Sequence, residues 1–309
     1  MNTAIEAKYM ERCIQLARQG QGHTSPNPMV GAVVVHEGRI IGEGYHRRCG
    51  EAHAEVNAIA SVREADRPLL KSSTIYVSLE PCSHYGKTPP CAELIVRTGI
   101  PRVVVGCLDP FPEVSGRGVN RLREAGVEVI TGLLEAECYA LNMAFMTMQQ
   151  LRRPYVTLKW AQSADGFIDR LRTAADEPPV VLSSAETLRR VHQLRTEIKA
   201  ILVGTRTALL DNPSLTVRHW VGASPLRVLL DRSLKVPTTH HLLDGSVPTL
   251  VFTEREAADR PNLCYASLDF SRPLAAQIMA ALAARKIDSL LVEGGTQMLQ
   301  SFIAEGLWD

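Results

Sequence analysis

Short runs of aliphatic, often β-branched residues recur along this 309-residue chain, and most are followed by a stretch whose apolar positions repeat with helical spacing. That alternation constrains the fold more than any other feature, because apolar strands interleaved with helices form sheets that are at least partly parallel and covered on both faces. In the first half, strands are expected over residues 30–36 and 39–44, joined by a turn at Glu37-Gly38, and then over 74–79, 102–107 and 128–130. Helices are expected over 5–19, with Ile5, Met10, Ile14, Leu16 and Ala17 facing inward, and over 53–62, 90–98, 117–125 and 135–150. After Leu151-Arg152-Arg153-Pro154 the alternation starts again. Strands are expected over 155–160, 200–203, 226–230, 249–252 and 289–292, and helices over 184–195, 275–284 and 296–305. The reading is two α/β domains, residues 1–150 and 151–309, with no short repeat linking them.

Composition narrows the function classes. Hydrophobic residues make up 45% of the chain and charged residues 22%, enough apolar material for two packed cores. The formal net charge is +1 and no long basic run occurs, so the electrostatic footprint of a nucleic-acid binder is missing. No uninterrupted apolar stretch approaches the roughly 20 residues that span a bilayer. The first dozen residues carry Glu6, Lys8, Glu11 and Arg12 rather than a signal-peptide core, which implies residence in the cytoplasm. In a reducing compartment the seven cysteines are thiols or metal ligands. Cys13, Cys49, Cys107, Cys138 and Cys264 read as small hydrophobes.

The other two cysteines carry chemistry. His53-Ala54-Glu55 is followed by Pro81-Cys82, and Cys91 lies nine positions beyond Cys82. One imidazole and two thiolates leave the fourth position of a tetrahedral Zn²⁺ for water, whose pKa the ion lowers toward neutrality. A ligand cannot also carry a proton, so a separate carboxylate is required, and Glu55 stands two positions from His53. A purely structural or non-enzymatic zinc protein would have no use for it. H-x-E with P-C-x-x-C is the pattern of zinc deaminases. This chain departs from it with eight residues, 83–90, between the cysteines. His53 is expected in the first turn of its helix. Pro81 suits the first turn of a second helix, whose dipole would favour the Cys82 thiolate.

Further motifs carry a specific resemblance. Thr24-Ser25-Pro26-Asn27-Pro28-Met29-Val30-Gly31-Ala32, Glu51-Ala52-His53-Ala54-Glu55-Val56, Leu79-Glu80-Pro81-Cys82-Ser83-His84 and Gly86-Lys87-Thr88-Pro89-Pro90-Cys91 resemble the riboflavin-biosynthesis deaminase/reductase family, whose pattern includes the long intercysteine spacing. Asp109-Pro110 and Gly116-Arg117-Gly118 continue it. In the second half the resemblance rests on Leu158-Lys159-Trp160-Ala161, Ser163-Ala164-Asp165-Gly166, His192-Gln193-Leu194-Arg195, Ile201-Leu202-Val203-Gly204, the stretch from Asp211-Asn212-Pro213 to Arg218, and Glu293-Gly294-Gly295. It implies an N-terminal cytidine-deaminase-like three-layer α/β/α domain and a C-terminal α/β domain like dihydrofolate reductase. It also implies a homo-oligomer with two activities. The first half would remove an amino group from a small pyrimidine ribosyl phosphate. The second would reduce ribosyl to ribityl with NADPH.

The resemblance also assigns residues. Asn27, His46 and Lys87 would bind the pyrimidine or its phosphate, an amide suiting a base edge and a lysine a phosphate. On the residues alone, His46 also reads as a solvated loop histidine. Arg195 and Arg218 would hold the substrate phosphate. Lys159 and Glu293 would meet the ribose, with Lys159 as the proton source. Ala161, Thr207, Asp211 and Leu215 would lie near the nicotinamide. No G-x-G-x-x-G follows a strand, so a Rossmann site is not expected. Gly294, Gly295 and Thr296 instead open a helix that would receive the NADPH pyrophosphate. Two departures touch the reductase half. The family's S-x-W-I-T is replaced by Pro179-Val180-Val181-Leu182-Ser183, for which Ser183 or Ser184 would compensate. The sequence also stops at Leu307-Trp308-Asp309, where the family continues with further strands. These leave open a second reading, a deaminase with an impaired reductase-like module. A base deaminase acting on nucleic acid is a third, disfavoured by the near-neutral charge.

Overall fold

The structure, a computed structural model, describes residues 6–83, 89–111 and 115–309, and its chain divides into two compact units, Met1–Leu151 and Arg152–Asp309. In the first, strands β1 (Gly31–His36), β2 (Arg39–Tyr45), β3 (Thr74–Leu79), β4 (Arg102–Cys107) and β5 (Glu128–Thr131) form one sheet in the order β2-β1-β3-β4-β5. β1 runs antiparallel to both β2 and β3, while β3, β4 and β5 are parallel. The turn at Glu37-Gly38 has both residues in the left-handed region, which matches the twist of a tight hairpin.

Strand alternation divides this sheet's side chains into two cores. Val34, Ile75, Val77, Val103 and Val105 point to one face. They meet Ala54 and Ala58 of helix α2 (Ala54–Ala60), Ala92 and Ile95 of α3 (Cys91–Thr98) and Val119 and Leu122 of α4 (Arg117–Glu124). Val33, Val35, Tyr76 and Val104 point to the other. That face is covered by α1 (Ala7–Arg18), α5 (Glu135–Ala140) and α6 (Met143–Leu151). The approach of α1 is close: a Cβ at Gly31 would stand 2.0 Å from the Cys13 carbonyl oxygen.

The second unit holds a sheet in the order β10-β9-β8-β7-β11-β6, with every pairing parallel. Its strands are β6 (Tyr155–Leu158), β7 (Ala200–Gly204), β8 (Leu226–Leu230), β9 (Thr249–Thr253), β10 (Leu263–Ser267) and β11 (Ser289–Gly294). Helices α9 (Leu274–Ala284) and α10 (Thr296–Ala304) cover one face. α7 (Ala185–Glu197) and α8 (Thr205–Asp211) contribute to the core on the other. β11 returns to insert between β7 and β6, so the strand order reverses there. A fully buried arginine, Arg227 on β8, is satisfied by the carbonyls of His241 and Val247, by Thr249 and by Asp244 at 3.2 Å.

Several expectations need correction. The single helix over 135–150 is two helices, interrupted at Leu141 and Asn142, because the Asn142 side chain is drawn to the backbone of Met29. Pro81 does not open a helix; α3 begins ten residues later, at Cys91. The strand from Tyr155 ends at Leu158. α8, β10 and a 3₁₀ segment, Glu64–Ser72, are additional elements. Cys49 and Cys264 are exposed rather than packed, whereas Cys13, Cys107 and Cys138 are buried; none of the seven cysteines is in a disulfide. No helix of the described residues is long and apolar enough to cross a membrane.

Candidate active site

His53 immediately precedes α2, Cys82 follows β3 and Cys91 is the first residue of α3, so three element ends deliver the three ligands. His53 Nδ1 lies 3.5 Å from Cys82 Sγ and 3.3 Å from Cys91 Sγ, and all three ligand atoms fall within 4.8 Å of one another. With Zn–S near 2.3 Å and Zn–N near 2.0–2.1 Å, a tetrahedral ion needs N···S separations of about 3.5 Å, so the donor set fits Zn²⁺ in both chemistry and spacing. The protonation pattern agrees. The Cys91 side chain and its backbone N–H, at 3.3 Å, both reach Cys82 Sγ and hold Cys82 down to about 4, while the same thiolate and burial push the Cys91 thiol far up. A divalent cation bound here would displace the remaining thiol proton, because thiolate is the ligand. The helix N-terminus expected at Pro81 thus acts on the Cys82 sulfur from α3 instead.

Glu55, in the first turn of α2, is 3% exposed. Burial first, and then the Cys82 sulfur, push its carboxyl up to about 7, the range in which a group can both take and return a proton. His46 is buried, its ring Nδ1 3.1 Å from the Ala52 carbonyl and its Nε2 3.3 Å from Asn27 Nδ2. Burial lowers its pKa and keeps the ring neutral. The carbonyl requires Nδ1 to carry the proton, so Nε2 accepts from the Asn27 amide. The solvated-loop alternative for His46 therefore does not hold. Asn27, His46, His53, Glu55 and Cys82 all line one pocket of about 340 Å³. Lys87 lies outside the described residues.

The same pocket is lined by Glu80 and Asp109, which stand in the quoted motifs without an assigned role, and by Phe111, Phe145 and Gln149, which lie outside those motifs. Glu80 is buried, and its two oxygens accept the backbone N–H groups of Asp109, Gly116, Gly118 and Val119 at 2.8–3.2 Å. It fixes the start of α4, an acidic group at a helix N-terminus. A Cβ at Gly118 would stand 2.0 Å from the Pro81 carbonyl, so the glycine lets α4 approach the Pro81-Cys82 segment. Glu80 adjoins Pro81-Cys82 in the quoted motif, but its backbone partners lie 29–39 positions away and leave no local signal.

In the second unit, Gly204 ends β7 and Gly294 ends β11, and both strands run directly into helices. Thr207 comes near Gly295, where a Cβ would be 3.1 Å from the threonine hydroxyl. Thr296 is the first residue of α10. Lys159, half-buried one position past the end of β6, donates its N–H to the Val292 carbonyl at 3.0 Å, which places it beside Glu293 in register. Glu293 bonds Arg195 at 2.9 Å, and both side chains are buried to about nine-tenths. Arg195 also donates to the Thr216 carbonyl, and the exposed Arg218 donates to the Thr216 hydroxyl, so both arginines gather around one residue.

The remaining cofactor candidates have different local settings. Asp211 is held by the buried Arg172, Leu215 is part of the core with a left-handed backbone, and Ala161 is half-buried just beyond β6. Ser184 caps α7, its hydroxyl accepting the Thr187 N–H at 3.1 Å. His192 also belongs here: its Nδ1 accepts the Arg218 N–H at 3.0 Å. Burial and the neighbouring Arg195 and Arg218 lower its pKa to about 4.

The fold and the ligand triangle define a two-unit α/β protein with a zinc-deaminase centre in its first unit. Comparison with known proteins agrees. Residues 3–107 match the model of the cytidine and deoxycytidylate deaminase zinc-binding region, and residues 154–309 match that of the RibD C-terminal domain. The riboflavin biosynthesis protein RibD of Aquifex aeolicus is 42% identical over 99% of this chain and 85% of its own. That of Bacillus amyloliquefaciens is 43% identical over 99% and 82%. A crystal structure of a diaminohydroxyphosphoribosylaminopyrimidine deaminase/5-amino-6-(5-phosphoribosylamino)uracil reductase from Thermotoga maritima superposes with a TM-score of 0.88 at 42% identity, covering 97% of this chain and 83% of that one. The chain belongs to the family of the riboflavin biosynthesis protein RibD.

Proposed function

We propose that this chain is a bifunctional riboflavin-biosynthesis enzyme. Residues 1–150 hydrolyse the 2-amino group from 2,5-diamino-6-ribosylamino-4(3H)-pyrimidinone 5′-phosphate, and residues 151–309 then reduce the ribosyl side chain to ribityl with NADPH. The observation that carries the reading is buried Glu55 beside the His53–Cys82–Cys91 triangle, in a pocket that also presents Asn27 and His46. The full-length family resemblance supports the order of the two steps. The match of residues 154–309 supports a working reductase over an impaired module.

His53, Cys82 and Cys91 would hold zinc, which when bound supplies Lewis-acid activation of the attacking water. Glu55 takes the proton from the attacking water and returns it to the departing amine, so ammonia leaves neutral. His46 fixes the Asn27 amide by accepting from its NH₂, which leaves the Asn27 carbonyl oxygen to receive an N–H of the pyrimidine edge. Lys87 completes the set at the substrate's phosphate.

In the second unit Gly294, Gly295 and Thr296 at the start of α10 would take the NADPH pyrophosphate, with Ala161, Thr207, Asp211 and Leu215 toward the nicotinamide. NADPH when bound supplies the hydride. Lys159 delivers the proton to the sugar oxygen, Glu293 orients the ribose, and Arg195 and Arg218 hold its phosphate. We place the protein in the cytoplasm as a homo-oligomer that acts on a small molecule and not on nucleic acid. The net charge of +1 supports the last point, and the family resemblance the oligomer.

The test supplies the zinc-loaded protein with the diaminopyrimidinone ribosyl phosphate and NADPH, and follows ammonia and NADPH in one tube. Both signals are expected together. Ammonia without NADPH loss would overturn the reductase assignment, and neither signal from a folded, metal-replete protein would overturn the substrate assignment.

A further inference from the structure

The break between α5 and α6 immediately precedes the helix that brings Phe145 and Gln149 to the deaminase pocket. Asn142, 5% exposed, fills the break and spends its whole side-chain amide on one distant residue. Its Oδ1 accepts the Met29 N–H at 2.7 Å and its Nδ2 donates to the Met29 carbonyl at 2.8 Å. The pair of bonds copies the exchange between facing residues of two strands, made here by a side chain. A helix break alone does not demand it. The Asn142 backbone is already served, its N–H donating to Tyr139 and its carbonyl accepting from Met146.

What Met29 holds explains the arrangement. It lies two residues beyond Asn27, on the segment that leads into β1. The next residue, Val30, accepts the His46 N–H at 2.9 Å, and Gly31 donates to the Ser78 hydroxyl. Asn27, Pro28 and Val30 line the pocket on this side. Phe145 and Gln149 line the same pocket from α6. They stand three and seven positions after Asn142, which directly precedes α6 and whose carbonyl accepts the Met146 N–H, so Phe145 and Gln149 lie on the helix face that begins at it. The amide therefore ties together, at Met29, two segments that line one cavity.

We propose that Asn142 is a positioning residue of the deaminase site, which through Met29 and α6 sets the distance between the Asn27–His46 wall and the Phe145–Gln149 wall, and so the fit of the pyrimidine. This rests on the deaminase reading of the pocket given above. Asparagine is required because only a side chain with one acceptor and one donor at this length serves both Met29 groups. Aspartate keeps the acceptor for the N–H and sets a second oxygen against the carbonyl.

The experiment uses the full chain, zinc-loaded, with Asn142→Ala, Asn142→Asp and Gln149→Ala beside the wild type. Ammonia release is followed against pyrimidine ribosyl phosphate concentration, with zinc content measured and NADPH oxidation on the deaminated pyrimidine as an internal control for the second unit. For the Asn142 variants KM should rise about tenfold with kcat changed less than about threefold, zinc retained and the reductase rate unchanged. Gln149→Ala, whose side chain is only half-buried, should raise KM a fewfold. A merely structural Asn142 would lower the melting temperature and the active fraction and leave KM alone. Wild-type KM in a folded, zinc-retaining Asn142 variant overturns the role, as does wild-type KM in Gln149→Ala should both Asn142 variants fail to fold. No ammonia from the wild type overturns the deaminase reading and this role with it, whereas ammonia from the wild type with KM unmoved in the variants overturns this role alone.

Discussion

In the first unit a buried carboxylate, Glu55, faces a cavity beside one imidazole and two sulfur atoms; in the second, the carboxylate of Glu293 is joined to Arg195 at 2.9 Å. The first arrangement concentrates groups of unmatched charge state, so burial pushes Glu55 up to about 7 and the Cys91 hydrogen bonds hold Cys82 down to about 4. The second neutralises its charges internally: Arg195 against Glu293, and Arg172 against Asp169 and Asp211. A hydrolytic centre has to keep its proton carrier poised and its metal donors gathered before substrate arrives. A buried arginine can be held in place by a neighbouring carboxylate, because each charge offsets part of the other's desolvation. The Arg195 guanidinium spends its Nε, Nη1 and Nη2 groups on Glu293 and Thr216, so three of its five N–H donors are engaged within the unit.

The comparison breaks most sharply at Glu55. Glu55→Gln should retain zinc and lower ammonia release by about 10²- to 10⁴-fold, while NADPH oxidation on the deaminated pyrimidine stays at the wild-type rate. A matching fall in both rates would mean that the two units do not act separately. At Glu293 the expected loss is in stability as well as turnover. Glu293→Gln leaves Arg195 buried without its counter-charge and should cost roughly 3 kcal/mol, read as a lower urea midpoint of the second unit's transition. An unchanged midpoint would mean that Arg195 moves to solvent or finds another partner.

The smallest effect sharpens the picture of the arginine cluster. Burial, then Arg195 and Arg218, depress His192 from 6.5 to about 4. Between those values the unfolded chain takes up a proton that the folded chain refuses, so stability present above pH 6.5 is lost as the pH falls toward 4. Going from pH 7 to 5 should therefore cost on the order of 1 kcal/mol through this residue. His192→Asn, which can still accept the Arg218 N–H, should remove that part of the acid sensitivity in paired urea titrations. Identical pH slopes for the two proteins would show that His192 does not titrate in this window.

The metal triangle was legible because residue types at set spacings near element ends carry it, and β3, β4 and β8 coincide with runs of aliphatic residues in the sequence. The interruption at Leu141 and Asn142 was not legible. Leu141-Asn142-Met143 continues a helical pattern, and what draws the Asn142 side chain away is Met29, 113 positions back. β10 escaped notice because only Leu263 of its five residues is buried, as befits an edge strand. α8 was missed because it follows β7 with no linker to punctuate it. Glu80 was visible as a letter in a motif, but its hold on α4 depends on four N–H groups that only the folded chain assembles.

That both compact units belong to one polypeptide has a consequence for metabolic control. One translation event yields one copy of each catalyst, so their ratio is fixed at unity whatever the expression level, and gene dosage cannot unbalance the two steps. The balance of flux through the pair is then written entirely in their two turnover numbers. A change in either pocket alters the steady-state level of the intermediate that the first unit makes and the second consumes, with no route for transcription to correct it.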